Sequence, residues 1–152
     1  MEDIWAALML VAGGLFAGGA ATFAWSRVPI WRRMPPHDFA GDFEQTIRRT
    51  DKVQPALLVI AAAAASGFAI TDTGSARLFA ALGAAGFVVV LLASLAVLVP
   101  LQRQIIATAQ GREVDADAEE IQAMRLRWFS GNLGRSCLSV GSFALMVVAS
   151  VV

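Results

Sequence analysis

The sequence contains no tyrosine, one cysteine and one histidine in 152 residues. The single cysteine, Cys137, excludes an intrachain disulfide and has no second cysteine with which to hold zinc. The sequence also lacks an H-x-x-x-H pair, a C-x-x-C pair, a glycine-rich phosphate loop and a pair of carboxylates inside an apolar segment. These absences argue against haem, di-iron and zinc chemistry, and we expect neither a metal site nor a cofactor.

Charged residues are also scarce. They make up 16% of the chain, whereas a soluble domain carries about a quarter. Hydrophobic residues make up 57%, and the mean hydropathy is +0.64. The formal net charge is zero, so the chain offers no basic surface for nucleic acid. This composition predicts an integral membrane protein whose partners include membrane lipids but no nucleic acid.

Four apolar runs divide the sequence, at about 4–25, 55–71, 78–101 and 129–152. Crossing the hydrocarbon layer takes about 20 helical residues, within a range of about 17 to 25, and each run meets that length. None of the runs alternates apolar and polar residues as a barrel strand would. The sequence therefore predicts an all-α fold, with a single transmembrane domain over residues 1–152 built as a four-helix bundle.

The basic residues predict the orientation of this bundle. All of them except Arg77 fall in the loops 27–54 and 102–128 or at the start of the fourth run. Because basic residues accumulate on the cytoplasmic side of a membrane, both loops should be cytoplasmic. Both termini should then lie outside the cytoplasm, and the expected location is a bacterial cytoplasmic membrane.

The two cytoplasmic loops have the pattern of amphipathic helices. Three apolar residues of the first loop recur every four positions: Phe39, Phe43 and Ile47. Acidic residues begin this segment and basic residues end it, which suits the helix dipole. The second loop repeats the design, with its acidic residues between Asp115 and Glu120. Its apolar residues Ile121, Met124 and Trp128 share a face, and this helix can continue into the fourth run.

Polar residues at the inner ends of the runs are the candidate functional residues, because polar side chains are costly inside a membrane. Arg135 lies about 10 Å deeper than Trp128 along a helix, and Asn132 shares its face. Arg135 either extends back to the lipid headgroups or points inward, where its guanidinium suits an anionic oxygen. We take Arg135 and Asn132 as candidate catalytic residues, and Gln102, Trp128 and Arg103 as candidate substrate-binding residues. The alternative, which we weigh equally, is that they cap helix ends.

Three sequence motifs carry a family resemblance. The first run contains A-G-G-L-F-A-G-G, the third closes with V-P-L-Q-R-Q-I, and the fourth opens with R-W-F-S-G-N-L-G-R. This set resembles the anthrone oxygenase-like membrane proteins, many of which have no known function. Trp128 and Arg135 match the family pattern. Gln102 stands where an asparagine is usual, and Asn132 stands at or near a usual histidine.

The resemblance implies that the protein oxidises an anthrone-like polyphenol with O2, without metal or flavin. It implies that Arg135 donates to the enolate oxygen, while Asn132 and Gln102 orient the substrate. The departure at Asn132 removes the usual imidazole, and His37 is the only histidine left as a base.

A non-enzymatic role is the competing hypothesis. The chain would then be an accessory subunit of a larger membrane complex, or a bundle that binds a hydrophobic small molecule. A homo-oligomer through Gly14 and Gly18 is a further expectation, because small residues allow helices to approach closely in lipid. An enzyme should have a closed cavity that reaches Arg135. In a scaffold, three phenylalanines would fill that space: Phe16, Phe87 and Phe143.

Overall fold

The computed structural model describes residues 2–50, 52–111 and 117–152, so Arg112 and Asp115 lie outside the described residues. Every regular element in these ranges is helical. The elements in chain order are α1 (Glu2–Thr22), a first π-helical turn (Phe23–Arg27), α2 (Val28–Arg33), α3 (Pro36–Thr50), α4 (Gln54–Thr71), α5 (Gly74–Ala93), a second π-helical turn (Ser94–Leu98), α6 (Val99–Ala109) and α7 (Ala118–Ala149).

Within the described residues, four helical stretches are long and apolar enough to cross a membrane: Asp3–Arg33, Gln54–Thr71, Gly74–Ala109 and Ala118–Ala149. The predicted all-α fold with four membrane helices is therefore confirmed. Helix α1 packs against α4 and α7, and α5 packs against the same two helices, so the four form a closed ring.

Three of the helices extend beyond the predicted runs. The first continues to Arg33, the third continues to Ala109, and the fourth begins at Ala118. The predicted loops 27–54 and 102–128 are therefore largely helical, and the second amphipathic segment is the first part of α7. Hydropathy marks the apolar part of a helix, whereas a helix ends where the backbone can no longer continue. The first helix ends before Pro35 and the third before Gly111, which has a φ of +65°.

Each π-helical turn comes directly before a Val-Pro pair, at Pro29 and at Pro100. A proline inside a helix cannot donate a hydrogen bond to the carbonyl four residues earlier, and its ring crowds that carbonyl. Those two carbonyls belong to Trp25 and Ala96, which lie within the π-helical turns. We attribute both π-helical turns to these prolines. Both turns contact α7.

Small residues let the membrane helices approach closely. A Cβ added to Gly83 of α5 would lie 2.9 Å from the backbone oxygen of Ser142 in α7. A Cβ added to Gly14 would lie 3.1 Å from the ring of Phe143, whereas one added to Gly18 would meet nothing within 4 Å. Gly14 is therefore already used for packing within the chain. The homo-oligomer stays a prediction.

An aromatic cluster closes one end of the bundle. Its buried members are Trp31, Phe39, Phe43, Trp128 and Phe129. Helix α3 lies against this end and buries Phe39, Phe43 and Ile47, while Arg48 and Arg49 are exposed. Its cytoplasmic location stays a prediction.

Two side-chain hydrogen bonds hold α3 in this position. The Nε1 of Trp31 donates to Oδ2 of Asp42 at 2.6 Å, and Nε2 of Gln110 donates to Oε1 of Glu44 at 2.6 Å. The first bond ties α3 to α2, and the second ties it to the end of α6. The position of α3 therefore depends on contacts with two separate parts of the chain.

Candidate functional site

A layer of polar side chains separates the apolar membrane core from the aromatic cluster. Four of the residues that line the space in this layer come from three helices: Gln54, Gln102, Trp128 and Arg135. Gln54 starts α4, Gln102 lies in α6 after the second π-helical turn, and the other two lie in α7. Buried polar groups are costly unless they are paired or used, so this layer is the candidate site.

Arg135 points toward the bundle rather than only to its surface. Its side chain is half-buried, and Nη2 donates to Oδ1 of Asn132 at 2.9 Å. Asn132 is completely buried one turn earlier in α7. The structure therefore brings together the two residues that the sequence offers as catalytic. The bond fixes the guanidinium on the inner side of the helix.

Gln102 and Gln54 face Arg135 from the other helices. Gln102 is buried, and Oε1 of Gln54 finds no hydrogen-bond partner within the described part of the chain. Gly19 makes room for Gln54, because an added Cβ there would overlap Nε2 of the glutamine. Sequence reasoning missed Gln54. Its only signal was a polar residue directly before the second apolar run.

Trp128 lines the site on the side of the aromatic cluster. It is buried, its ring centroid lies 4.9 Å from that of Phe43, and its Nε1 has no hydrogen-bond partner among residues 2–50, 52–111 and 117–152. Arg103, by contrast, is exposed on α6 and lines neither of the cavities that reach Arg135 from inside. The structure thus brings four of the five predicted site residues together and leaves Arg103 apart.

The space beside Arg135 is small and partly open, because the exposed Pro55 and Leu95 also line it. One cavity of about 80 Å³ is lined by residues that include Phe16, Leu98, Gln54, Gln102 and Arg135. A second, of about 20 Å³, lies between the two glutamines, Arg135 and Trp128. Ligand pockets usually measure roughly 300 to 1,000 Å³. A cavity does reach Arg135, but it has room for only a few atoms.

All three phenylalanines expected in a scaffold pack in or against the membrane core. The rings of Phe16 and Phe87 meet edge to face with their centroids 5.5 Å apart. Phe143 packs against Gly13 and Gly14. Phe16 alone borders the cavity. These side chains fill the membrane core, so the space beside Arg135 lies within the polar layer.

A wider groove lies on the other side of Arg135, on the lipid-facing surface. It measures about 260 Å³ and runs between α5, the second π-helical turn and α7. Leu98 and Arg135 line both this groove and the inner cavity. These two side chains therefore lie between the inner cavity and the groove. A Cβ added to Gly131 would lie 2.8 Å from Leu98, so this glycine allows Leu98 its position.

Comparison with known proteins assigns the family. The model of the anthrone oxygenase family matches residues 43–145, which is more than half of the chain. The chain belongs to the anthrone oxygenase family. No curated protein and no solved structure matches it. Gln54, Gln102, Trp128, Asn132 and Arg135 all fall inside the region matched to the anthrone oxygenase family, so the polar layer lies entirely within it.

The candidate base of this anthrone oxygenase family member lies away from the polar layer. His37 is exposed near the start of α3 and lines neither inner cavity. Among the described residues that line these two cavities there is no carboxylate and no imidazole. A substrate bound at Arg135 would therefore meet amide, indole and guanidinium groups and the hydroxyl-bearing residues Thr50 and Ser94.

Arg125 is a buried arginine that sequence reasoning missed. Its Nη1 donates to the backbone oxygens of Trp31 at 3.0 Å and Met34 at 2.7 Å, and Nη2 donates to Gln122. Its guanidinium carbon also lies 5.4 Å from the ring centroid of Phe39. The sequence did contain a signal for the burial of Arg125. It lies four residues after the buried Ile121 and three before Trp128, on the same face of the helix.

Proposed function

We propose that this chain is a membrane-embedded oxygenase that oxidises an anthrone-like polyphenol with O2 and uses neither metal nor flavin. The observation that carries the proposal is the buried polar layer around Arg135, within the region that matches the anthrone oxygenase family. Such a layer at the end of an apolar bundle suits a flat, hydrophobic substrate with one oxygen that becomes negatively charged.

In the proposed reaction the substrate loses a proton from the carbon opposite its carbonyl group. The resulting anion carries its charge on the oxygen, where the guanidinium of Arg135 stabilises it. The anion transfers electrons to O2 and forms a carbon–oxygen bond. The hydroperoxide then loses water and leaves a second carbonyl, so one substrate and one O2 give one quinone and one water.

The residues of the polar layer take three roles in this proposal. Arg135 holds the oxyanion, and Gln54 and Gln102 orient the ring edge through their amides. Asn132 keeps the guanidinium in place, as its bond of 2.9 Å to Arg135 supports. Since the cavities contain no carboxylate or imidazole among their described residues, we propose that the proton leaves to water at the mouth of the site.

The hydrophobic substrate reaches the site from the lipid in this proposal. The inner cavity of about 80 Å³ is too small for a ring system, but Leu98 and Arg135 line both this cavity and the groove of about 260 Å³. Rotation of Leu98 would join the two spaces. The second π-helical turn ends at Leu98, and such turns are frequent at functional sites.

The small inner cavity also favours a second candidate function. A bundle whose core is filled by Phe16 and Phe87 suits an accessory subunit or a carrier of a lipophile. In that role Arg135 and Asn132 would only cap neighbouring helix ends. Turnover separates the two functions, because only the oxygenase consumes O2 in proportion to substrate.

We further propose that the aromatic-cluster end of the bundle, with α3, is on the cytoplasmic side of a bacterial cytoplasmic membrane. The basic residues support this orientation. All of them except Arg77 lie in the segments 27–54 and 102–128 or at the start of the fourth apolar run. Both termini and the short turn between α4 and α5 would then lie outside.

The oxygenase is tested by measuring O2 consumption and quinone absorbance with the purified protein and anthrone. We expect turnover in the wild type and a loss of about 100-fold or more in Arg135→Ala, because removing one oxyanion donor typically costs that much. Arg127→Ala is the matched control, since Arg127 is an exposed arginine of the same helix. Circular dichroism confirms that each variant is folded.

Two results would contradict this proposal. Equal turnover in the wild type and Arg135→Ala would remove Arg135 from the mechanism. No turnover by the wild type with any anthrone, in protein that is folded, would favour the accessory or carrier function.

A further inference from the structure

A separate groove flanks α7 on its other side, between the first π-helical turn, α2 and α7. It measures about 170 Å³, and six of its lining residues matter here: Ala24, Val28, Arg32, Phe129, Asn132 and Leu133. Four are apolar and two carry hydrogen-bond donors. We call this space the Arg32 groove.

The two donors of the Arg32 groove are available for an anionic oxygen. Asn132 is completely buried, its Oδ1 accepts from Arg135, and its Nδ2 has no hydrogen-bond partner in the described chain. Arg32 is exposed and forms no ion pair with any described residue, and its guanidinium carbon lies 5.8 Å from the ring centroid of Phe129. Arg27 nearby is already paired with Asp42 at 3.6 Å.

The depth of the groove matches the boundary between lipid headgroups and acyl chains. The first membrane stretch, Asp3–Arg33, has 31 residues and is therefore about 46 Å long, which exceeds the hydrocarbon layer of about 30 Å. Arg32 near its end thus reaches the headgroup layer. Asn132 lies about 26 Å along α7 from Ala149, just inside the same boundary.

We propose that the Arg32 groove binds one anionic phospholipid. The guanidinium of Arg32 holds the phosphate, and Nδ2 of Asn132 donates to an oxygen of the glycerol ester. One acyl chain lies along Ala24 and Leu133. The apolar lining is the reason for a phospholipid rather than free phosphate, and the positive charge of Arg32 is the reason for an anionic headgroup. This site does not depend on the oxygenase function.

Native mass spectrometry of the purified full-length protein tests the Arg32 groove. The protein in neutral detergent is titrated with phosphatidylglycerol and, separately, with phosphatidylcholine of the same acyl chains. We expect one tightly bound phosphatidylglycerol in the wild type. Arg32→Gln should weaken its affinity about tenfold, because a hydrogen bond to a charged group is lost. Arg33→Gln is the matched control, since Arg33 is the exposed neighbour and does not line the groove.

Three results would overturn the proposal. Equal weakening by Arg32→Gln and Arg33→Gln would show only a general attraction to basic residues. Equal affinity for phosphatidylglycerol and phosphatidylcholine would show that the headgroup charge is not recognised. Complete displacement of the lipid by inorganic phosphate would show an anion site without an acyl-chain subsite.

A second variant tests the acyl-chain part without removing a donor. Ala24→Phe fills the groove and leaves Arg32 and Asn132 in place. We expect folded Ala24→Phe, checked by size-exclusion chromatography, to lose the bound phosphatidylglycerol. Full retention of the lipid would overturn the assignment of the chain to this groove.

Discussion

At the scale of single residues, Arg125 joins three parts of the molecule through one guanidinium. It lies in α7, caps the carbonyls at the end of α2 and covers the ring of Phe39 in α3. A cation at the C-terminal end of a helix is favourable because of the helix dipole. Arg125 is therefore a structural residue, in contrast to Arg135, which lines the polar layer.

Replacement of Arg125 should destabilise the fold without touching the polar layer. We expect Arg125→Ala to lower the free energy of unfolding by about 2 to 4 kcal/mol, because buried carbonyls lose a charged donor. The exposed Arg127→Ala should change it by less than about 0.5 kcal/mol. Chemical unfolding in detergent, followed by circular dichroism, measures both. Equal stability of the two variants would show that the contacts of Arg125 contribute little.

At the scale of the elements, the two π-helical turns give α7 a groove on each side. The first borders the Arg32 groove, and the second borders the lipid-facing groove at Leu98. Asn132 lines one groove and Arg135 lines the other, and the bond of 2.9 Å between them connects the two. A Val-Pro pair follows each turn, so the same local chemistry shapes both long helices.

Filling the lipid-facing groove should slow the proposed reaction by blocking substrate entry. Gly134 lines this groove, and a Cβ added there would meet nothing within 4 Å. We expect Gly134→Leu to lower kcat/KM for anthrone by about tenfold, or about 1.4 kcal/mol in the barrier. Gly141→Leu is the matched control, because Gly141 is also open and lies in the same helix but outside the groove.

This pair of glycine variants separates entry from stability. Both substitutions replace an exposed helical glycine by leucine, so their effects on helix stability should be alike. If the two variants show the same kcat/KM, the lipid-facing groove is not the entry route. The oxygenase function itself would still be tested by the turnover of Arg135→Ala.

At the scale of the whole molecule, the ring of four helices leaves little internal space. Glycine, alanine and serine at the contacts bring α5 and α7 close together, as the position of Gly83 against Ser142 shows. Helix α3 and the aromatic cluster then close one end. A molecule of this shape would admit a flat ligand only from the lipid or by moving side chains of the polar layer.

The proposed orientation predicts which side chains react from outside the cell. In a Cys137→Ser background, a cysteine at Ser75, in the exposed turn region, should react with a membrane-impermeant maleimide on intact cells. A cysteine at the exposed His37 should react only after lysis. Labelling of His37→Cys on intact cells would reverse the orientation derived from the basic residues.

Hydropathy and helical spacing were sufficient for the number of membrane helices and the buried face of α3, whereas they left open whether Arg135 points inward or extends to the lipid headgroups. These are local properties of the chain, because period and polarity can be read within one segment. The bounds of the helices were less accurate, since an amphipathic extension continues beyond the apolar run.

Only the tertiary structure decided which distant residues share the polar layer and how large its cavity is. Gln54 meets Arg135 because α4 and α7 pack on opposite sides of one space, and Gly19 on a third helix makes room for it. Arg125 is internal because α2 and α3 fold over it. Such contacts depend on how each helix is rotated about its axis against its neighbours, which the pattern of one segment does not contain.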